Sequence, residues 1–200
     1  AIGGAELARN SASSNEPFKR IDGLSSIDEW DTDLEDARDH ANFLGLTRKD
    51  EHLQKLERTV SKLNPGETKE LYYPEQDSFL KKRFVEGTKE DWVAKISSDR
   101  KALLDRTTEL SRSVDTSLDL ASIADNVEIV DDIKNLSKRT DYFSGGVSRA
   151  GKLQAAFVFS KESDHLSLEY LAANPASLLK KGGVKGSGTA AIKDLIERSF

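Results

Sequence analysis

The apolar pattern of this chain changes period at about residue 152, and that change limits its fold more than any other feature. Leu153, Ala155, Phe157 and Phe159 sit on alternate positions, and Ala156 and Val158 fill the positions between. Alternation with apolar residues on both sides predicts a strand buried on both faces. Lys161-Glu162-Ser163-Asp164 is a polar turn. Leu166, Leu168 and Tyr170 then alternate again, with Ser167 and Glu169 opposite, so residues 152 to 172 read as a β-hairpin. Asn174-Pro175 closes it. The loop Lys185-Gly186-Ser187-Gly188-Thr189-Ala190 follows and leads into an amphipathic helix, from about Thr189 to Ser199, that carries Ala191, Ile192, Leu195 and Ile196. A glycine-rich turn entering a helix leaves backbone N–H groups aimed forward. The helix dipole adds positive potential there, which favours a phosphate or pyrophosphate.

The residues before this unit follow a different period. Residues 1 to 24 form a polar tract with Ser11, Ser13, Ser14, Asn15 and Pro17, and are expected to be loosely ordered. Ser26 and Glu29 have capping-box spacing, and Trp30, Leu34, Ala37, Ala41 and Leu44 follow on one helical face up to Gly45. Thr47 and Asp50 suggest a second cap. Leu53, Leu56, Val60 and Leu63 continue the stripe to Asn64-Pro65-Gly66, which predicts an antiparallel helical hairpin. Leu71-Tyr72-Tyr73-Pro74 reads as a strand or an anchored loop. Thr88 is placed to cap a helix from about Lys89 to Ser111, and one or two more helices are expected between residues 113 and 137. The expected fold class is therefore α+β (α/β). A flexible start (1–24) and a mostly helical region (25–140) precede a β-hairpin–loop–helix unit (141–200).

Charge and composition narrow the function classes. The net charge is −5, but residues 145 to 200 hold eight Lys/Arg against five Asp/Glu, leaving −8 on the remainder. An acidic body argues against general nucleic-acid binding, and a basic end around a glycine loop suits a small anion. No apolar run reaches the roughly 20 residues that span a bilayer. The absence of Cys removes disulfides, thiolate nucleophiles and Cys metal ligands. The absence of Met implies that Ala1 is not the translation start, so a processed or truncated chain is expected, with secreted and cytoplasmic locations both open.

The run Leu168-Glu169-Tyr170-Leu171-Ala172-Ala173-Asn174-Pro175, followed by Val184-Lys185-Gly186-Ser187-Gly188-Thr189-Ala190, resembles the GNAT family of N-acetyltransferases over about the last quarter of the chain. That family's acyl-CoA motif has Gln or Arg, two residues, Gly, one residue, then Gly or Ala. Lys185, Gly188 and Ala190 occupy those positions, with Lys as a departure. The resemblance implies that Leu166 to Ala172 is the family's fourth strand, with the strand before it as antiparallel partner. It implies that Lys185, Gly186, Ser187, Gly188, Thr189 and Ala190 hold the pyrophosphate of acetyl-CoA. Main-chain N–H groups of Tyr170, Leu171 and Ala172 would polarise the acetyl carbonyl. Glu169 would take a proton from a small-molecule or protein amine. The family fold continues with a further strand and helix after this one, so a second polypeptide, or a second copy of the chain, is expected to complete the sheet. N-terminal strands near Leu71 to Tyr73 or Val127 to Val130 are further candidates to cover its edge.

Each of these residues also has a plainer reading. Gly186 and Gly188 can serve a tight turn alone, Glu169 can be an outward-facing strand residue, and Thr189 can be a helix cap. Lys180, Lys181 and Lys185 can be a solvated loop. His165 is expected on the hairpin surface, His40 and His52 within helices, and Trp30 and Trp92 in the core. Asn135-Leu136-Ser137 matches a glycosylation sequon but falls in a helix. Three functions remain: CoA-dependent acyl transfer to an amine, with no metal; a non-catalytic secreted or regulatory interaction protein on the same scaffold; and a different anion-binding domain that converged on this loop.

Overall fold

A computed structural model describes residues 16–75 and 78–200. The fold is α+β. In chain order the elements are β1 (Lys19–Asp22), a 3-10 turn (Ile27–Trp30), α1 (Asp31–Ser61), β2 (Thr68–Glu75), β3 (Ser78–Thr88), α2 (Lys89–Leu110) and α3 (Leu120–Leu136). These are followed by β4 (Phe143–Arg149), β5 (Lys152–Lys161), β6 (Leu166–Ala173), the one-turn α4 (Pro175–Leu178) and α5 (Ser187–Arg198). By contacts the chain forms two units. One comprises the described part of Ala1–Arg38 with Ser117–Phe200, and the other is Asp39–Thr116. The boundary falls inside α1, so the stretch 25–140 contributes to both.

The first unit is an antiparallel sheet in the order β1-β4-β5-β6 with helices against it. Its centre is β5, where Ala155, Ala156, Phe157 and Val158 are all fully buried. Ala155, Phe157 and Phe159 pack with Val147 of β4 and with Ala191 and Leu195 of α5. Ala156 and Val158 point the other way by strand alternation, and α3 contacts both β5 and β6. The hairpin expected over residues 152 to 172 is thus β5–β6, with α5 packed on the sheet.

The second unit lays the β2–β3 hairpin against α2 and the later turns of α1. Leu46, Leu53 and Val60 of α1 meet Leu71 and Tyr73 of β2 and Trp92, Ile96 and Leu103 of α2 in one core. Trp92 donates its indole N–H to the Lys69 carbonyl at 2.9 Å. Thr88 caps α2 as expected, in a reciprocal capping box with Asp91. His40 is buried and accepts from the Asp115 N–H at 3.0 Å.

Several expectations need correction. Gly45 does not end a helix: α1 runs unbroken from Asp31 to Ser61, and no helical hairpin forms. The Leu46–Leu53–Val60 stripe carries burial past the glycine, and that tertiary gain outweighs the roughly 1 kcal/mol helix penalty of glycine. Thr47 does not cap a new helix but bonds back to the Leu44 carbonyl at 2.8 Å. Ser26 makes no side-chain cap. Glu29 accepts instead from the Leu153 N–H, far along the chain. Residues 113 to 137 give one helix, α3, within the one or two expected. Of the start expected to be loosely ordered, residues 1–15 lie outside the described residues, while Lys19–Asp22 pairs with β4 as β1.

Two further strands, β3 and β4, were not foreseen. In β4, Gly145-Gly146 looks like a turn signal, yet a Cβ on Gly146 would stand 2.3 Å from the Ala155 carbonyl oxygen. Close strand approach, not chain reversal, requires that glycine. In β3, Lys81, Lys82 and Arg83 mask the alternation, and Val85 faces Leu71 across the ladder. Neither segment proposed to cover the β6 edge does so. Leu71 to Tyr73 belongs to β2, and Val127 to Val130 lies in α3. Among the described residues β6 pairs only with β5.

The unbroken α1 has a direct test. Nothing lies within 4 Å of a Cβ built on Gly45. Gly45→Ala is therefore expected to raise stability by about 0.5–1 kcal/mol in urea unfolding, as in any helix interior. A helix break at this glycine would turn that gain into a loss.

Candidate functional site

The site is built where β6 ends and α5 begins. In the β5–β6 ladder Val158 pairs with Tyr170 and Phe159 with Leu168, so Glu169 is an extra residue in β6. Such a bulge bends the strand and frees backbone groups from the ladder, and bulges are common beside functional sites. The Glu169 carboxylate accepts from the Ser160 hydroxyl at 2.9 Å and is exposed. The Tyr170 phenol is held protonated above the ordinary tyrosine range. The negative charge of Asp132 is the main cause, followed by partial burial, a hydrogen bond to Asp132 and the charges of Glu169 and Glu128. At neutral pH it is an O–H donor.

The strand end is fixed from three directions. Asn126 of α3 donates through Nδ2 to the Ala173 carbonyl at 3.1 Å. Asn174 donates its N–H to Gln154 O and its Nδ2 to Leu153 O, both at 3.0 Å. Its Oδ1 caps α4 by accepting from the Ala176 N–H, with Pro175 in the first helical turn. Asn-Pro at a strand end is the readable signal for this cap, and α4 separates β6 from the glycine loop.

The glycine loop then turns into α5. Gly186 is the N-cap, at φ +87°, with no side-chain cap. The first helical bond runs from the Ala190 N–H to Gly186 O at 2.9 Å. The N–H groups of Ser187, Gly188 and Thr189 have no acceptor among the described residues, as expected for the first turn of a helix. The two glycines differ. Gly186 needs its left-handed backbone. Gly188 has ordinary helical geometry, and nothing lies within 4 Å of a Cβ built there. No packing or backbone reason requires a glycine at Gly188. A side chain would project into open space at the helix mouth.

Charges around the loop are mixed. Lys185 is exposed and makes no ion pair among the described residues. Lys181, grouped with it on sequence, is instead paired with Asp36 near the start of α1. A recess of about 560 Å³ lies beside the first turns of α5, lined by Phe18, Arg20, Gly186, Thr189, Lys193 and Glu197 among others. Asp194 also lines it and is paired with the buried Arg198 at 2.7 Å. Glu169 does not line this recess. Thus Glu169 and Tyr170 meet at the bulge with Ser160 and Asp132, while Lys185 to Ala190 form a separate helix mouth. Among the described residues no three His, Asp or Glu side chains converge as metal ligands would. No described helix is long and apolar enough to cross a membrane.

Comparison with known proteins finds no matching protein-family model, no matching curated protein and no matching solved structure.

The difference between the two glycines sets an expected pair of results. Gly186→Ala forces a β-carbon into the left-handed region and should cost about 1–2 kcal/mol in urea unfolding. Gly188→Ala should leave stability unchanged within about 0.5 kcal/mol. Equal losses at both positions would mean that Gly188 is also a structural glycine.

Proposed function

We propose that the first unit binds acetyl-CoA and supports acyl transfer to an amine by direct attack, as its resemblance to N-acetyltransferases implies. The observation that carries this reading is one juxtaposition. A bulge that frees backbone in β6 is followed, through a capped turn, by a helix whose first three N–H groups lack acceptors and whose Gly188 has no structural need to be glycine. The strand order supports it too, because β6 is the fourth strand of its sheet in chain order and pairs antiparallel with the strand before it.

The donor set fits the cofactor at both ends. The Ser187, Gly188 and Thr189 amides suit a pyrophosphate, with the helix dipole and Lys185 adding positive potential. Acetyl-CoA supplies the activated acyl group. A main-chain N–H of Tyr170, Leu171 or Ala172 would donate to the acetyl oxygen and stabilise the charge that develops there. Glu169 would accept a proton from the attacking amine, directly or through water. Its only hydrogen bond among the described residues is from Ser160.

A second reading, a binding protein without catalysis, has one observation in its favour. Glu169 is exposed and lies outside the recess beside the glycine loop, so no base stands in that concavity other than Asp194 and Glu197.

Calorimetry separates these readings. Acetyl-CoA is expected to bind the chain, Gly188→Val to abolish binding with the fold intact, and Lys185→Ala to weaken it more at low salt than at high salt. Glu169→Gln should leave binding unchanged and lower acetyl transfer to an amine by about 10²-fold or more. Binding with no transfer to any amine tested would favour the non-catalytic reading. No binding by the folded protein would end the acyl-CoA reading and leave the non-catalytic interaction protein as the better one.

A further inference from the structure

The second unit, Asp39–Thr116, carries a groove that the acyl-CoA reading does not use. A concavity of about 1010 Å³ lies between the β2–β3 hairpin and α2. On α2, Lys95, Asp99, Ala102 and Arg106 repeat at helical spacing along one wall. At 1.5 Å per residue that wall runs for about 16 Å. On β3, Lys81, Arg83 and Val85 alternate along the other. Tyr73 and Leu103 line the groove and are nearly fully buried.

The groove is preorganised and locally cationic. The Tyr73 phenol donates to Asp99 Oδ2 at 2.6 Å, and Lys95 Nζ lies 5.0 Å from the centre of the Tyr73 ring. The described lining holds five Lys/Arg and two carboxylates, Glu75 and Asp99, with Lys95 3.8 Å from Asp99. The unit as a whole holds 15 of each sign, so the excess in the groove is segregation and not bulk charge. Arg100, outside the groove, pairs with Asp50 at 2.9 Å and Glu57 at 2.7 Å. The guanidinium groups of Arg83 and Arg106 have no such partner among the described residues.

We propose that this groove docks an acidic peptide segment of a partner protein in extended form. At about 3.3 Å per residue the long wall takes roughly five peptide residues. Peptide carboxylates meet Arg83, Lys95 and Arg106, with arginine able to bind them bidentately. Peptide N–H groups meet Asp99 and Glu75, which a peptide can satisfy. A phosphodiester chain brings no backbone donor and would set charge against charge at Asp99. The proposal is independent of cofactor binding by the other unit.

The test uses the full chain and a fluorescein-labelled peptide of alternating glutamate and alanine, followed by anisotropy at low salt. Saturable binding is expected, weakening as salt rises. Arg83→Glu and Arg106→Glu, both exposed, should each weaken it about tenfold or more, since a like charge is set against the ligand. Arg112→Glu, outside the groove, should change it less than about twofold. Amide NMR shifts should gather on residues 81–85 and 95–106. Four results would overturn the proposal. They are no saturable binding by the folded chain, indifference to both reversals, equal weakening by Arg112→Glu, and displacement of the peptide by oligothymidylate at lower concentration than by unlabelled peptide. The last would make the groove a nucleic-acid site.

Discussion

At the start of β5 a second bulge leaves Gln154 without a partner on β4, between the pairs Val147–Ala155 and Ser148–Leu153, and groups from distant parts of the chain bond the backbone of Leu153 and Gln154. The Trp30 indole donates to Leu153 O at 2.9 Å, and the Asn174 amide donates to the same oxygen at 3.0 Å. Glu29 accepts from the Leu153 N–H, and Asn174 N–H reaches Gln154 O. Each bond satisfies a buried group that would otherwise cost about 1–3 kcal/mol. Together they tie the entry to α1, the central strand and the turn after β6 to one point. The same strand is sealed on its two edges by β4 and β6 and on its two faces by packed side chains. Strand β6 and the loop after it take their position from this arrangement.

That dependence gives the candidate site its form. Because Asn174 is bonded back to β5, the chain must leave β6 through α4 before it reaches the glycine loop. Because α5 packs Ala191 and Leu195 onto Ala155, Phe157 and Phe159, the first turn of α5 is fixed relative to the sheet while its N–H groups have no acceptor among the described residues. A fixed set of donors is what an anion site requires, since donors already in place are not reorganised when the ligand arrives. The bulge at Glu169 adds freed backbone on the neighbouring strand. The two features lie within one unit and are separated in the chain only by the one-turn α4 and the glycine loop, which is the physical basis for the acyl-CoA reading.

Much of this was legible in the sequence, and the misses have definite causes. The β5–β6 hairpin was readable because both faces of β5 are apolar, and α2 because Thr88 and Asp91 form its cap. The glycine loop was readable as a helix mouth. The bulge at Glu169 was not, since register depends on the partner strand. Gly45 misled because local propensity says nothing about the tertiary stripe that carries α1 through it. The β4 strand at Gly145-Gly146 was not legible because close strand approach and a turn use the same residue. The β3 strand was hidden by Lys81, Lys82 and Arg83, the charges that form one wall of the basic groove and the face opposite it. The partners of Leu153 lie more than 100 residues away or across a turn, and no local pattern announces them.

The central claim is that β5 is the fixed element of its unit and that the ligand-facing groups are the backbone of β6 and the first turn of α5. Hydrogen exchange resolved by residue, with and without acetyl-CoA, tests it most directly. The account predicts that β5 amides exchange slowest in the unit, near the rate of global unfolding. The Ser187, Gly188 and Thr189 amides should exchange fast in the free protein, as should β6 amides on the edge away from β5, and acetyl-CoA should slow them selectively. Fast exchange along β5, or protection by acetyl-CoA confined to other parts of the chain, would contradict it.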